Sequence, residues 1–190
     1  EQTVVLYAPT FRDYLSADDM RAEMVDFFDV RAAARRLGTD FVLLMRGHAF
    51  NARAKQRYDE TDSVIDVTDY PDINDLCHAS DAAVLDYSSL RFDYALTDKP
   101  MIFFTPDLEQ YNAARGGILD FRDTAPGPIV TQTREVVERL KRLETVDERH
   151  RAARQRFRET YCDLEDGHAT DRLIEAVFTP EEAGGPGVSG

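Results

Sequence analysis

Several things are scarce in this chain of 190 residues. Cysteine occurs only at Cys77 and Cys162, far apart and in no metal-ligand spacing. That excludes a disulfide-built fold and a cysteine zinc site, and makes a reducing compartment the default. Positive charge is also short. The 23 Lys and Arg stand against 36 Asp and Glu, a formal net charge of -13 with a pI near 4.7. Such a surface does not neutralise phosphate backbones, so non-specific nucleic-acid binding is excluded. A single arginine-lined pocket remains compatible with it. The basic residues are nearly all Arg, a bias that also suits forked recognition of phosphate. No apolar run approaches the roughly 20 residues of a membrane span, and no signal peptide opens the chain. There is no Walker A sequence, no HExxH and no G-x-S-x-G elbow, and "GGIL" at 116–119 lacks the spacing of a GxGxxG fingerprint. The missing elbow weakens a hydrolase reading of Ser88.

What is present is enough for one sizeable core, with 43% hydrophobic residues. Short continuous apolar runs alternate with helical stretches. Strands are expected at Val4–Pro9, Phe41–Arg46, Ser63–Thr68, Ala82–Tyr87 and Pro100–Phe104, with a short one near "PIV". A weakly broken helix is expected over 20–38, stopped by Gly38 as a C-cap. Further helices are expected after Asp72, over "SLRFDYALT", and at Thr133–Leu143, Asp147–Tyr161 and Ala169–Phe178, with a long loop after Phe104. Apolar runs of this kind indicate a parallel sheet covered on both faces. The expected fold is α/β, a doubly wound Rossmann-like sheet forming one domain over 1–178. The closing "TPEEAGGPGVSG" reads as a disordered tail. The start, without Met and almost at once in a strand, reads as a segment cut from a longer polypeptide.

Ligands of open α/β sheets bind beyond the carboxyl ends of the strands. The first strand delivers Thr10 and Arg12 to that edge, and the second delivers Arg46, Gly47 and His48. The fourth delivers Asp86, Ser88 and Ser89, and the fifth leads to Arg115. Ser88 and Ser89 stand at a helix start, where unpaired N–H groups and a partial positive charge attract phosphate. Plain N-capping explains them equally simply. Asp93, one turn on, suits hydrogen bonds from a ribose or polyol, or solvent. His48 follows Gly47, which lets the backbone turn, and suits proton transfer or phosphate contact; a loop histidine capping carbonyls is the bland alternative. Arg12 and Arg115 suit bidentate phosphate clamps or rim salt bridges. His78 and His168 read as structural or helix-start residues. His150 lies in "DERHRAARQRFRE", which reads as a solvated, salt-bridged helix. A phosphorylated-aspartate receiver would share the fold class and acidity, but it is smaller and leaves the arginines unexplained.

Read together, "YAPTFR", "LLMRGH", the block from Asp72 to Phe121, "APGPIV" and "LEDGHATDRLIEAVF" resemble the carboxyl-terminal domain of the CDP-glycerol glycerophosphotransferases. That family includes teichoic acid primases and polymerases and related capsule enzymes. The likeness runs from Val4 to about Phe178. It implies one half of a GT-B enzyme, with the acceptor-side amino-terminal half and its own histidine absent. It implies CDP-glycerol as donor, glycerol phosphate transferred to a hydroxyl of a polymer or lipid-linked primer, and CMP released. It implies His48 as the catalytic residue of an R-x-H motif, with Thr10, Arg12, Arg46, Ser88, Ser89, Asp93 and Arg115 binding the donor. No metal site and no cofactor are implied by the residues, though a divalent ion carried by substrate phosphates stays open. The implied location is cytoplasmic, peripheral at the inner face of the plasma membrane in the full-length protein. Arg91 departs from the pattern, since an apolar or small residue is expected there; it reads as a phosphate contact or as pointing to solvent. "AFNARAKQRYDETD" after His48 gives no clear match. Two other readings remain: a non-catalytic nucleotide-binding module, and a GT-B transferase using CDP-ribitol or a nucleotide-sugar.

Overall fold

The computed structural model describes residues 2–10, 27–47, 61–116 and 120–178. Six strands, β1 Thr3–Ala8, β2 Phe41–Met45, β3 Val64–Asp66, β4 Ala82–Leu85, β5 Met101–Phe104 and β6 Ile129–Val130, form one sheet in the order 3-2-1-4-5-6. Every pairing is parallel. The helices are α1 Val30–Leu37, α2 Ile73–Ala79, α3 Leu90–Ala95, α4 Leu108–Arg115, α5 Phe121–Thr124, α6 Thr133–Leu140, α7 Leu143–Tyr161 and α8 Ala169–Phe178. The expected α/β, doubly wound Rossmann-like architecture is the one observed.

The strands are apolar throughout because both of their faces are covered. Successive side chains of a strand point to opposite faces. Val5 and Tyr7 join Ala82, Val84, Ile102 and Phe104 on one face, packed with Ala33 of α1 and Val136, Val137 and Leu140 of α6. Leu6 and Ala8 join Ala83, Leu85, Met101 and Phe103 on the other, against Leu76 of α2, Tyr94 of α3 and Phe157 of α7. Burying each large side chain contributes about 1.5–3 kcal/mol, so neither face tolerates a one-residue register slip.

The long amino-terminal helix is corrected in part. Among described residues it begins at Val30, and Phe27–Asp29 are not helical. Asp29 accepts the Ala32 amide and caps the start. Phe28 turns inward instead, its ring 4.7 Å from Tyr7 and 5.7 Å from Phe104 between centroids. Gly38 ends the helix as expected, at φ 75° with its N–H on Ala34 O. The expected long loop after Phe104 contains α4 and α5. The helices expected at Thr133–Leu143 and Asp147–Tyr161 meet differently: α6 ends at Leu140 and α7 already starts at Leu143. Gly127 is required by close approach. A Cβ there would lie 2.0 Å from the Met101 carbonyl oxygen, so only glycine lets the loop into β6 pass β5.

The amino-end side of the sheet carries structural polar contacts. Lys99 Nζ donates to the Cys77, His78 and Ser80 carbonyls at the end of α2 (3.2, 2.6 and 2.6 Å), a cation on a helix C-terminus. Helix α7 is not the fully solvated helix its charges predict. Arg154 is 1% exposed and bonds Asp147 Oδ1 at 2.5 Å. His150 is half-buried. Helix α8 buries none of its residues, and Leu173, Ile174, Val177 and Phe178 stand exposed on it.

Candidate functional site

The order 3-2-1-4-5-6 reverses direction between β1 and β4, so their carboxyl ends open a crevice at the topological switch point. The register brings Ala8 of β1 opposite Leu85 of β4. The chain then delivers Thr10 from one side and Asp86 to Ser89 from the other.

Asp86 closes the base of this crevice. It is 3% exposed. Its Oδ2 accepts the Thr10 amide at 2.8 Å, and its Oδ1 accepts the Thr10 hydroxyl at 2.6 Å and the Ser88 amide at 3.2 Å. A carboxylate has only acceptors, so the Thr10 hydroxyl donates inward. Thr10 therefore stands at the site as a tie between β1 and β4, with its hydroxyl proton already committed.

The two serines divide the roles that the sequence left open. Ser88 Oγ accepts the Leu90 amide at 3.2 Å and does the capping, while its own O–H remains a donor. Ser89 occupies the N-cap position, is exposed, and makes no side-chain capping bond. Its hydroxyl has no helical duty. Asp93 is exposed on the same short helix.

Arg46 ends β2, and its Nη1 donates to the Val67 carbonyl at 3.0 Å and to the Tyr70 carbonyl. Gly47 N donates to Thr68 Oγ1 at 2.9 Å. Both anchor the loop after β3 to the end of β2, so much of the Arg46 fork is spent on structure. Arg115 closes α4. Its side chain, together with Arg12 and His48, lies outside the described residues. Thr10, Ser88 and Ser89 are thus brought together, and Arg46 stands one strand away.

Sequence reasoning missed an aromatic and acidic group beside β4 and β5. The Tyr87 and Tyr111 rings stack at 3.9 Å, and Tyr87 OH donates to the buried Asp107 Oδ1 at 2.8 Å. The i, i+4 spacing of Asp107 and Tyr111 was the available signal, hidden by reading α4 as loop. Arg91 was singled out, but the solvent-pointing option is wrong: the residue is only 7% exposed. Its guanidinium carbon lies 5.0 Å from the Phe92 ring centre, 5.0 Å from Phe121 and 5.9 Å from Phe157. Burial pulls its pKa down, yet a guanidinium stays charged.

Among the described residues no group of three or more His, Cys, Asp or Glu side chains could hold a metal ion. Cys77 and Cys162 are free thiols. Burial pushes Cys77 up to about 11, which makes it unreactive at neutral pH. No helix among the described residues is long and apolar enough to cross a membrane.

Residues 1–179 match the family of CDP-glycerol:poly(glycerophosphate) glycerophosphotransferases. The chain belongs to that family. A teichoic acid glycerol-phosphate transferase of Staphylococcus aureus (strain NCTC 8325 / PS 47) is 36% identical over 180 residues, 94% of this chain and 46% of that protein. Among solved structures, the wall teichoic acid polymerase TagF superposes with a TM-score of 0.80 at 30% identity, over 92% of this chain and 42% of that one. A variant of TagF soaked with CDPG superposes with a TM-score of 0.77 at 29% identity, over 93% and 41%. The chain therefore spans less than half the length of these relatives. The recognition made from the five sequence blocks is borne out.

Proposed function

We propose that this chain is the donor-binding domain of a transferase that moves glycerol phosphate from CDP-glycerol to a hydroxyl of a teichoic acid or capsule polymer or primer. In this reading it is one half of a GT-B fold, and the acceptor-side half belongs to the parent protein. The observation that carries it is the switch-point crevice, floored by Asp86 and edged by the hydroxyls of Ser88 and Ser89. Membership in a family named for this reaction supports it.

The chemistry asks little of the protein beyond positioning and charge. The acceptor hydroxyl oxygen attacks the phosphorus that bears glycerol, and a new P–O bond forms. The bond from that phosphorus to the bridging oxygen breaks, and CMP leaves with the electron pair. The hydroxyl proton passes to a base, the role proposed for His48. Ser88 and Ser89 hydroxyls donate to the diphosphate, and Arg12, Arg46 and Arg115 supply positive charge as charge is redistributed. Asp93 accepts hydrogen bonds from a ribose or glycerol hydroxyl. No step requires a metal ligand from this chain. The parent protein would work in the cytoplasm, peripheral to the inner face of the plasma membrane.

Isothermal titration of the chain with CDP-glycerol tests this. Binding is expected, weakened about tenfold or more in Ser88→Ala/Ser89→Ala, a loss of roughly 1.4 kcal/mol or more. Absence of binding at millimolar ligand, or tighter binding of CDP-ribitol or a UDP-sugar, would overturn the assignment to CDP-glycerol.

A further inference from the structure

Among the described residues, Arg91 is a buried cation whose burial its surroundings do not explain. It lies on α3, two residues after Ser89, and is 7% exposed. Its Nε and Nη1 are buried without a hydrogen-bond partner. Aromatic faces lie around the guanidinium, from Phe92 on α3, Phe121 on α5 and Phe157 on α7. Cation–π attraction recovers part of the cost of desolvating a charge. It provides no acceptor for the N–H groups, and buried donors left unmade are destabilising. A methionine would fill a similar volume with no such cost.

The surroundings point in one direction. Phe121, 5.0 Å from the guanidinium carbon, also packs edge-on to Tyr87 at 5.6 Å, and Tyr87 leads directly into Ser88. Arg91 N approaches the Ser88 carbonyl at 3.4 Å. Arg91 thus stands in the first turn of α3, two residues after Ser89, with its guanidinium among Phe92, Phe121 and Phe157. Nη2 is not among the buried, unpartnered atoms.

We infer that Arg91 is a phosphate-binding residue, its guanidinium clamped by Phe92, Phe121 and Phe157 and completed by an anionic oxygen of the bound donor's diphosphate. This rests on the donor-site reading above and adds to it a residue that the family resemblance does not supply. Rings that fix the fork in advance reduce the ordering cost of each hydrogen bond to phosphate. The missing partner of the buried cation is then the ligand itself.

The test compares wild type, Arg91→Met and Arg91→Lys by titration and thermal unfolding, with CDP-glycerol, cytidine and inorganic pyrophosphate as probes. Arg91→Met is expected to bind CDP-glycerol at least tenfold more weakly, to bind cytidine as wild type does, and to unfold at the same temperature or higher. Arg91→Lys keeps the charge but not the fork, and is expected to fall between them. If Arg91→Met fails to fold, the lysine variant carries the comparison. Unchanged CDP-glycerol affinity in the variants would overturn the inference. So would equal loss of cytidine and CDP-glycerol with a lower unfolding temperature, which marks a packing role. If wild type binds no CDP-glycerol, the donor reading fails. Pyrophosphate then decides separately: binding by wild type and not by Arg91→Met sustains the phosphate contact, and binding by neither removes it.

Discussion

Among the described residues, Asp86 accepts hydrogen bonds from the Thr10 amide and hydroxyl and from the Ser88 amide, which join the end of β1 to the turn after β4. Replacing it with asparagine swaps one acceptor oxygen for an NH2 group that faces donors. Asp86→Asn is expected to cost about 1–3 kcal/mol of stability and to weaken donor binding through the displaced serines. Denaturant unfolding and titration of the variant check both, and an unchanged midpoint would contradict the role. Residue-level reasoning from sequence could place Thr10, Ser88 and Ser89 at one edge, because strand ends are legible in apolar runs. It could not divide their duties. The division depends on Asp86 reaching across 76 positions of sequence to Thr10, a contact that exists only once the sheet has formed. The burial of Arg91 was hidden for the same reason, since two of its aromatic neighbours come from α5 and α7.

At the scale of elements, α7 shows where charge patterning misleads. "DERHRAARQRFRE" has the composition of a solvated helix, and Arg149 and Arg151 are indeed exposed. Yet its inward face carries His150 and Arg154. Desolvation lowers the His150 pKa, followed by repulsion from Arg154, Arg139 of α6 and Arg149. A histidine depressed in the folded state adds stability above its unfolded value, and that stability is lost as pH falls through the lowered folded value. Unfolding free energy is therefore expected to decrease as pH falls through and below about 6.5, and His150→Gln to flatten that decrease. Equal slopes for the two proteins would contradict it. Strands, the helix after Asp72 and the Gly38 stop were all legible, because each has a local cause. Helices α4 and α5 were not. Neither has a strong apolar period of its own: α4 buries Leu108 and α5 buries Phe121, and both are set by packing on the sheet.

At the scale of the molecule, the fold class followed from one regularity: apolar runs short enough for strands, uninterrupted enough for burial on both faces. The strand order did not follow from it. The reversal between β1 and β4 is what opens a crevice at their carboxyl ends, and it places Thr10 against Asp86 and Ser88. In the proposed function a nucleotide diphosphate occupies that crevice. A crystal structure of the chain soaked with CDP-glycerol tests it most directly. Diphosphate oxygens are expected within hydrogen-bonding distance of the Ser88 and Ser89 hydroxyls, between the carboxyl ends of β1 and β4. A diphosphate seated elsewhere on the sheet, with the two serines unengaged, would contradict it.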